Sequence, residues 1–193
     1  MSRRPGTRPA QAGWAALVGC LLLVAGSAWA RQHLDATSYE GVEVAGVGRS
    51  GAARAFSARV ESVRLAHAIA SSSNRRSDAR GTWVVVTWTL AARGTGAVPS
   101  LGLELLTDDG RVYLPDPASN HAEVVVQPGF VATVTTVFDV PPSRLSGAVL
   151  SITPRKQVLT YDLSVRVPLG LTAASPVLDS LPPAASPTQD VLR

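Results

Sequence analysis

An all-β chain is expected, folded as an antiparallel sandwich and preceded by one apolar N-terminal helix. Three observations carry this. Residues 81–90, GTWVVVTWTL, alternate over ten positions and are rich in β-branched and aromatic side chains. Period-2 segments recur downstream, each closed by Gly, Pro or Asp-Gly. Almost no stretch beyond residue 30 keeps one helical apolar face.

Residues 1–12 are a basic tail, with Arg3, Arg4 and Arg8 and no acid. Residues 13–30 are uncharged and mostly apolar, and Cys20, the only cysteine, lies among them. They fit a signal peptide cleaved at Ala28-Trp29-Ala30, or a single-pass anchor with its Arg-rich end cytoplasmic. The anchor is preferred, because Trp14 and Trp29 bracket the run like interfacial aromatics. Either way, the chain from Arg31 onward is extracytoplasmic. Two further signals are weak. Leu17-Val18-Gly19-Cys20 matches a lipobox, but the apolar run continues past it. Arg3-Arg4 could begin a twin-arginine signal, but Pro5 and Gly6 follow.

Residues 31–53 read as a linker with one short edge strand near residues 42–45. Gly46, Gly48 and Gly51 spell G-x-G-x-x-G, which cradles a pyrophosphate only between a strand and a helix. The downstream chain is β-like, so a flexible glycine-rich linker is the expectation. The sandwich is expected over residues 54–169. In residues 56–65 the alternation of Phe56, Ala58 and Val60 slips parity at Val63 and Leu65; a bulge near Glu61-Ser62 restores one apolar face. Residues 71–78 form a polar loop. In residues 81–90, Val84, Val86, Trp88 and Leu90 share the core face, and Trp83, Val85, Thr87 and Thr89 share the other.

Residues 101–106 and 111–114 form a hairpin about Thr107-Asp108-Asp109-Gly110, whose Asp-Gly suits the positive backbone angles of tight turns. Pro115 and Pro117 end it. Residues 124–126 make a short strand. After Pro128-Gly129, residues 130–140 alternate until Pro141-Pro142 stop them. Residues 148–152 and 158–167 complete about eight strands, the count of a sandwich. Residues 170–193 carry Pro176, Pro182, Pro183 and Pro187 among Ala and Ser, and are expected to be disordered.

Three pieces recur in this order in an uncharacterised family of bacterial extracellular immunoglobulin-like domains, which resembles the secreted immunoprotective antigen sandwich. They are the strand Gly81-Thr-Trp-Val-Val-Val86, the hairpin Asp109-Gly110-Arg-Val-Tyr113, and the turn Pro128-Gly129 leading to Val137-Phe138-Asp139-Val140-Pro141. The resemblance covers residues 55 to 153. Family members often carry asparagine after the central strand, where this chain has Ala91-Ala92-Arg93. The resemblance implies an immunoglobulin-like sandwich and an extracytoplasmic address, and no reaction.

The chain has 193 residues and a net charge of +4. Three of its 18 basic residues precede the apolar run, and the rest nearly balance the 14 acidic ones. A nucleic-acid partner is therefore not expected. One cysteine excludes an internal disulfide framework. No catalytic residue, cofactor or metal is expected. No G-x-S-x-G occurs. Of His33, His67 and His121, only His121 has polar neighbours, in Asp116, Asn120 and Glu123, and their spacing follows no ligand pattern. Asp108 and Asp109 are explained by their turn. Trp83 and Tyr113 are the candidate interaction surface, as outward aromatics. The expected protein is a non-enzymatic, membrane-tethered module that binds an envelope protein; the alternative is a secreted binder of a small ligand or glycan, freed by cleavage at Ala30.

Overall fold

The computed structural model describes residues 42–70, 76–98, 101–117, 124–154 and 164–192. The expected anchor at 13–30, with Ala28 and Ala30, lies outside them, as do His33, Asn120, His121 and Glu123. Among the described residues, no helix is long and apolar enough to cross a membrane.

Among the described residues, eleven strands form two sheets. They are β1 (Val42–Val44), β2 (Ser50–Ala52), β3 (Phe56–Ala70), β4 (Arg76–Ala92), β5 (Leu101–Leu106), β6 (Val112–Tyr113), β7 (Phe130–Val140), β8 (Val149–Pro154), β9 (Ser164–Pro168), β10 (Val177–Leu181) and β11 (Thr188–Val191). The first sheet has the order β1-β9-β8-β5-β6. The second has β10-β3-β4-β7-β11, with β2 also on β3. The all-β sandwich is as expected. Two pairings depart from a purely antiparallel one: β1 runs parallel to β9, and β10 parallel to β3.

Alternation decides the interior. Val84, Val86, Trp88 and Leu90 of β4, and Ala132, Val134 and Phe138 of β7, face Leu103 and Leu105 of β5, Leu150 and Ile152 of β8, and Val165 and Val167 of β9 in one buried cluster. Apolar area removed from water there is the main stabilising contribution. The expected bulge in β3 is present, with the register shifting between Val60 and Ser62. A second shift, between Ala66 and Ala68, carries β3 on to Ala70, beyond the expected end at residue 65. His67 is skipped there and left exposed.

The short edge strand expected near residues 42–45 is β1, and the linker expectation is corrected over residues 46–52. β1 joins one sheet and β2 the other, so this segment steps across the sandwich. Gly46 and Gly48 of the glycine motif lie in the turn between them, and Gly51 already belongs to β2. Gly48 has φ +80°, and its N–H donates to the Val60 carbonyl at 2.8 Å. A strand follows it rather than a helix, so the phosphate-binding context is missing. Gly51 packs against β9 so closely that a Cβ would lie 2.6 Å from Val165 Cγ1.

The expected disorder at 170–193 is also corrected. The chain leaves β9 through Leu169 and Leu171, both buried in the interior cluster. It then places β10 on one edge of the second sheet and β11 on the other. Edges offer unpaired N–H and C=O groups, and the tail satisfies them by backbone pairing, which proline-poor stretches such as 177–181 and 188–191 can supply.

Candidate functional site

The outer face of the second sheet holds Trp83, and the C-terminal segment covers it. Ala66, Trp83, Val85 and Val137 point outward and form a second buried cluster with Leu181; Ile69, Ala79 and Ala184 pack against it. Trp83 is only 6% exposed. Its indole N–H donates to the Ser77 carbonyl at 3.0 Å. The outward direction of Trp83 read from the sequence is therefore correct, but the side chain is covered rather than open. Residues 182–187 carry the chain from Leu181, registered with Ile69 on β3, to Thr188, registered with Thr133 on β7. Pro182, Pro183 and Pro187 lack an N–H, which suits a crossing that passes over a sheet face without pairing to it.

Few side chains anchor this strap. Of β10 and β11 only Leu181 is buried. Burying one leucine contributes about 1.5–3 kcal/mol. Arg76 adds a forked contact to Asp179, Nη1 to Oδ2 at 3.3 Å and Nη2 to Oδ1 at 3.4 Å, while its Nε meets Asp78 at 2.7 Å. At the far end, Gln189 donates to the Val125 carbonyl at 2.9 Å, and the Leu192 N–H to the Gly129 carbonyl at 2.8 Å. Beyond β11 along β7, Asp116 donates its N–H to the Val137 carbonyl at 2.8 Å.

Tyr113 lies on the other sheet, in β6, and does not join Trp83; the outward expectation for it is corrected, because it is registered with the buried Leu105 and packs against the interior cluster. Its hydroxyl accepts from Arg144 Nη1 at 2.9 Å, and Arg144 Nε meets Asp109 Oδ2 at 3.0 Å. Arg144 closes the short 3-10 turn Pro142–Arg144 that follows β7. The hairpin is a five-residue loop, with Leu106 opposite Val112 and Gly110 at φ +75°. The Thr107 hydroxyl donates to Asp109 Oδ1 and holds that carboxyl below its ordinary range; the Arg111 backbone N–H and the Arg144 charge act in the same direction. Asp109 is thus a tie between hairpin and turn.

The cause sets a measurable order. In carboxyl NMR titrations the Asp109 midpoint is expected to rise more in Thr107→Val than in Arg144→Ala. A midpoint unmoved by Thr107→Val would contradict the assignment. Because the folded group is the stronger acid, its stabilising contribution is present above about pH 4 and fades as pH falls through the folded midpoint.

A cleft of about 350 Å³ opens where the strap begins, lined by Val63, Arg64, Leu65, Leu169, Leu171 and Leu178 among others. No group of three or more His, Cys, Asp or Glu side chains is placed to hold a metal among the described residues.

No protein-family model and no curated protein matches the chain. Solved structures similar to it include an uncharacterised β-sandwich protein of Clostridium difficile, with 10% identity over 67% of this chain and 97% of that one and a TM-score of 0.44. They include the yjhA protein of Bacillus subtilis, with 12% identity, 63% and 98% coverage and a TM-score of 0.48. A secreted protein of Mycobacterium tuberculosis, MPT63, matches with 17% identity, 68% and 99% coverage and a TM-score of 0.42. The chain's own strands and registers define the class: a two-sheet β-sandwich whose C-terminal segment straps one outer face.

Proposed function

We propose that this chain is a non-enzymatic, extracytoplasmic binding module of immunoglobulin-like architecture, held at the membrane by residues 13–30 and docking an envelope protein through a sheet edge or face. One observation carries the reading. Both edges and the outer face of the second sheet already accept an extended segment, residues 177–191, mainly by backbone pairing and one leucine. Strand addition of this kind is a recurrent way for β-sandwiches to take a protein ligand.

Photo-crosslinkers placed at Thr87 and Thr135, half-buried neighbours on the outer face, test it in native membranes. A single membrane-protein species, captured from these positions and not from Glu104 on the other sheet, is the expected outcome. Recovery of the uncrosslinked chain alone would count against docking here. Turnover of a substrate, abolished by one side-chain change, would remove the non-enzymatic reading. A chain beginning at Arg31 in the medium would replace the anchored form with the secreted one. In that alternative the cleft beside Arg64, apolar with one guanidinium, supports a small ligand or glycan as the occupant.

A further inference from the structure

The strap covers more than it buries of itself. Val177, Leu178, Asp179 and Ser180 are exposed, and so is every residue of β11. Beneath the crossing lie Ala66, Trp83, Val85 and Val137, each 6% exposed or less. A segment held by backbone pairs, one apolar anchor and a few exposed polar contacts belongs to the low-stability end of a fold. Its departure would free the β3 edge at residues 65–69, the β7 edge at residues 130–133, and the patch around Trp83.

We propose that this outer face is a docking site for an extended segment of a partner protein, and that the C-terminal strap occupies it in cis until displaced. The occupant's chemistry can be read from the strap. An aliphatic side chain fills the place of Leu181 beside Trp83 and Val137. An acidic residue two positions earlier meets Arg76, as Asp179 does. Proline follows the anchor, as Pro182 and Pro183 do, so that no donor is stranded over the sheet. Pairing along β3 runs parallel, as with β10. The inference rests on the reading of the chain as a protein-binding module and names the ligand class of that module.

The test uses the full chain in detergent, its Leu181→Asp variant, and a chain ending at Leu171. The probe is a fluorescein-labelled peptide of residues 172–193, read by anisotropy. Leu181→Asp and the shortened chain are expected to bind it at least tenfold more tightly than the unaltered chain, whose site is filled. The same peptide carrying Leu181→Asp or Asp179→Lys is expected to bind at least tenfold more weakly. Trp83 emission should shift red in both altered chains and return on peptide binding, with the shift absent in a Trp83→Phe background.

Altered chains that unfold cooperatively yet ignore the peptide would overturn the proposal. So would equal binding by the unaltered chain. If neither altered chain folds, the strap is an obligatory part of the sandwich and the proposal fails. If the unaltered chain forms dimers by tail exchange, the occupant is a second copy and the partner assignment fails. Peptide binding without crosslinks from Thr87 or Thr135 in membranes would leave the displaceable strap standing and refute only the envelope-docking reading.

Discussion

Replacing Trp88 by alanine is expected to lower the unfolding free energy by about 3–5 kcal/mol, as for other large buried aromatics. Trp88 is 2% exposed in the interior cluster, between Val60 of β3 and Val134 of β7 in register. Rigid strands on both sides cannot collapse into the space, so the cavity cost adds to the lost transfer energy. The side chain also has a polar tie. Its indole N–H donates to Thr136 Oγ1 at 3.0 Å, and Thr136 is fully buried. Thr136→Val alone should cost about 1–3 kcal/mol by leaving that N–H unpaired. Trp88→Phe with Thr136→Val should cost less than the two single changes together, since neither polar group is then stranded. Urea unfolding of the unaltered chain, Trp88→Ala, Trp88→Phe, Thr136→Val and the double variant measures this. A Trp88→Ala loss below about 1 kcal/mol would show that the core repacks, against the rigidity assigned to it.

The second large effect belongs to Gly81. Alanine there is expected to destabilise by about 1–3 kcal/mol, although the change adds one methyl. The added Cβ would stand 2.5 Å from the Val140 carbonyl oxygen and 2.9 Å from the Pro141 nitrogen. These are backbone atoms, so no side chain can rotate away, and the proline ring restricts φ beside them. The approach is fixed from the other side by Asp139. Its carboxylate accepts the Arg80 N–H at 3.0 Å and the Gly81 N–H at 2.9 Å. Asp139→Asn keeps one acceptor and should cost less than Asp139→Ala. A midpoint for Gly81→Ala equal to that of the unaltered chain would show that β4 can shift against β7 here. The recurring pieces Gly81-Thr-Trp and Phe138-Asp139-Val140-Pro141 thus meet as one contact.

Strands that put one face into the interior are visible in their alternation. β7 has the expected bounds of 130–140, and the slip at Glu61 is the bulge that parity demanded. The hairpin about Gly110 follows from its Asp-Gly. Where a strand has no buried face, alternation carries nothing. In β10 the neighbours of Leu181 are exposed, so Val-Leu-Asp-Ser-Leu has no period to detect. The fate of Trp83 shows the same limit. Its outward direction is a local property of the pleat, but its cover comes from a leucine about a hundred residues away in sequence.

The amino-acid order settled the β class, the interior face of each long strand and the turns, because these depend on neighbours two to five residues apart. The strap, the step of residues 42–52 between sheets, and the separation of Trp83 from Tyr113 depend on which edge each segment reaches. Backbone hydrogen bonds decide that, and they are the same for nearly every residue type, so they leave no mark in the sequence.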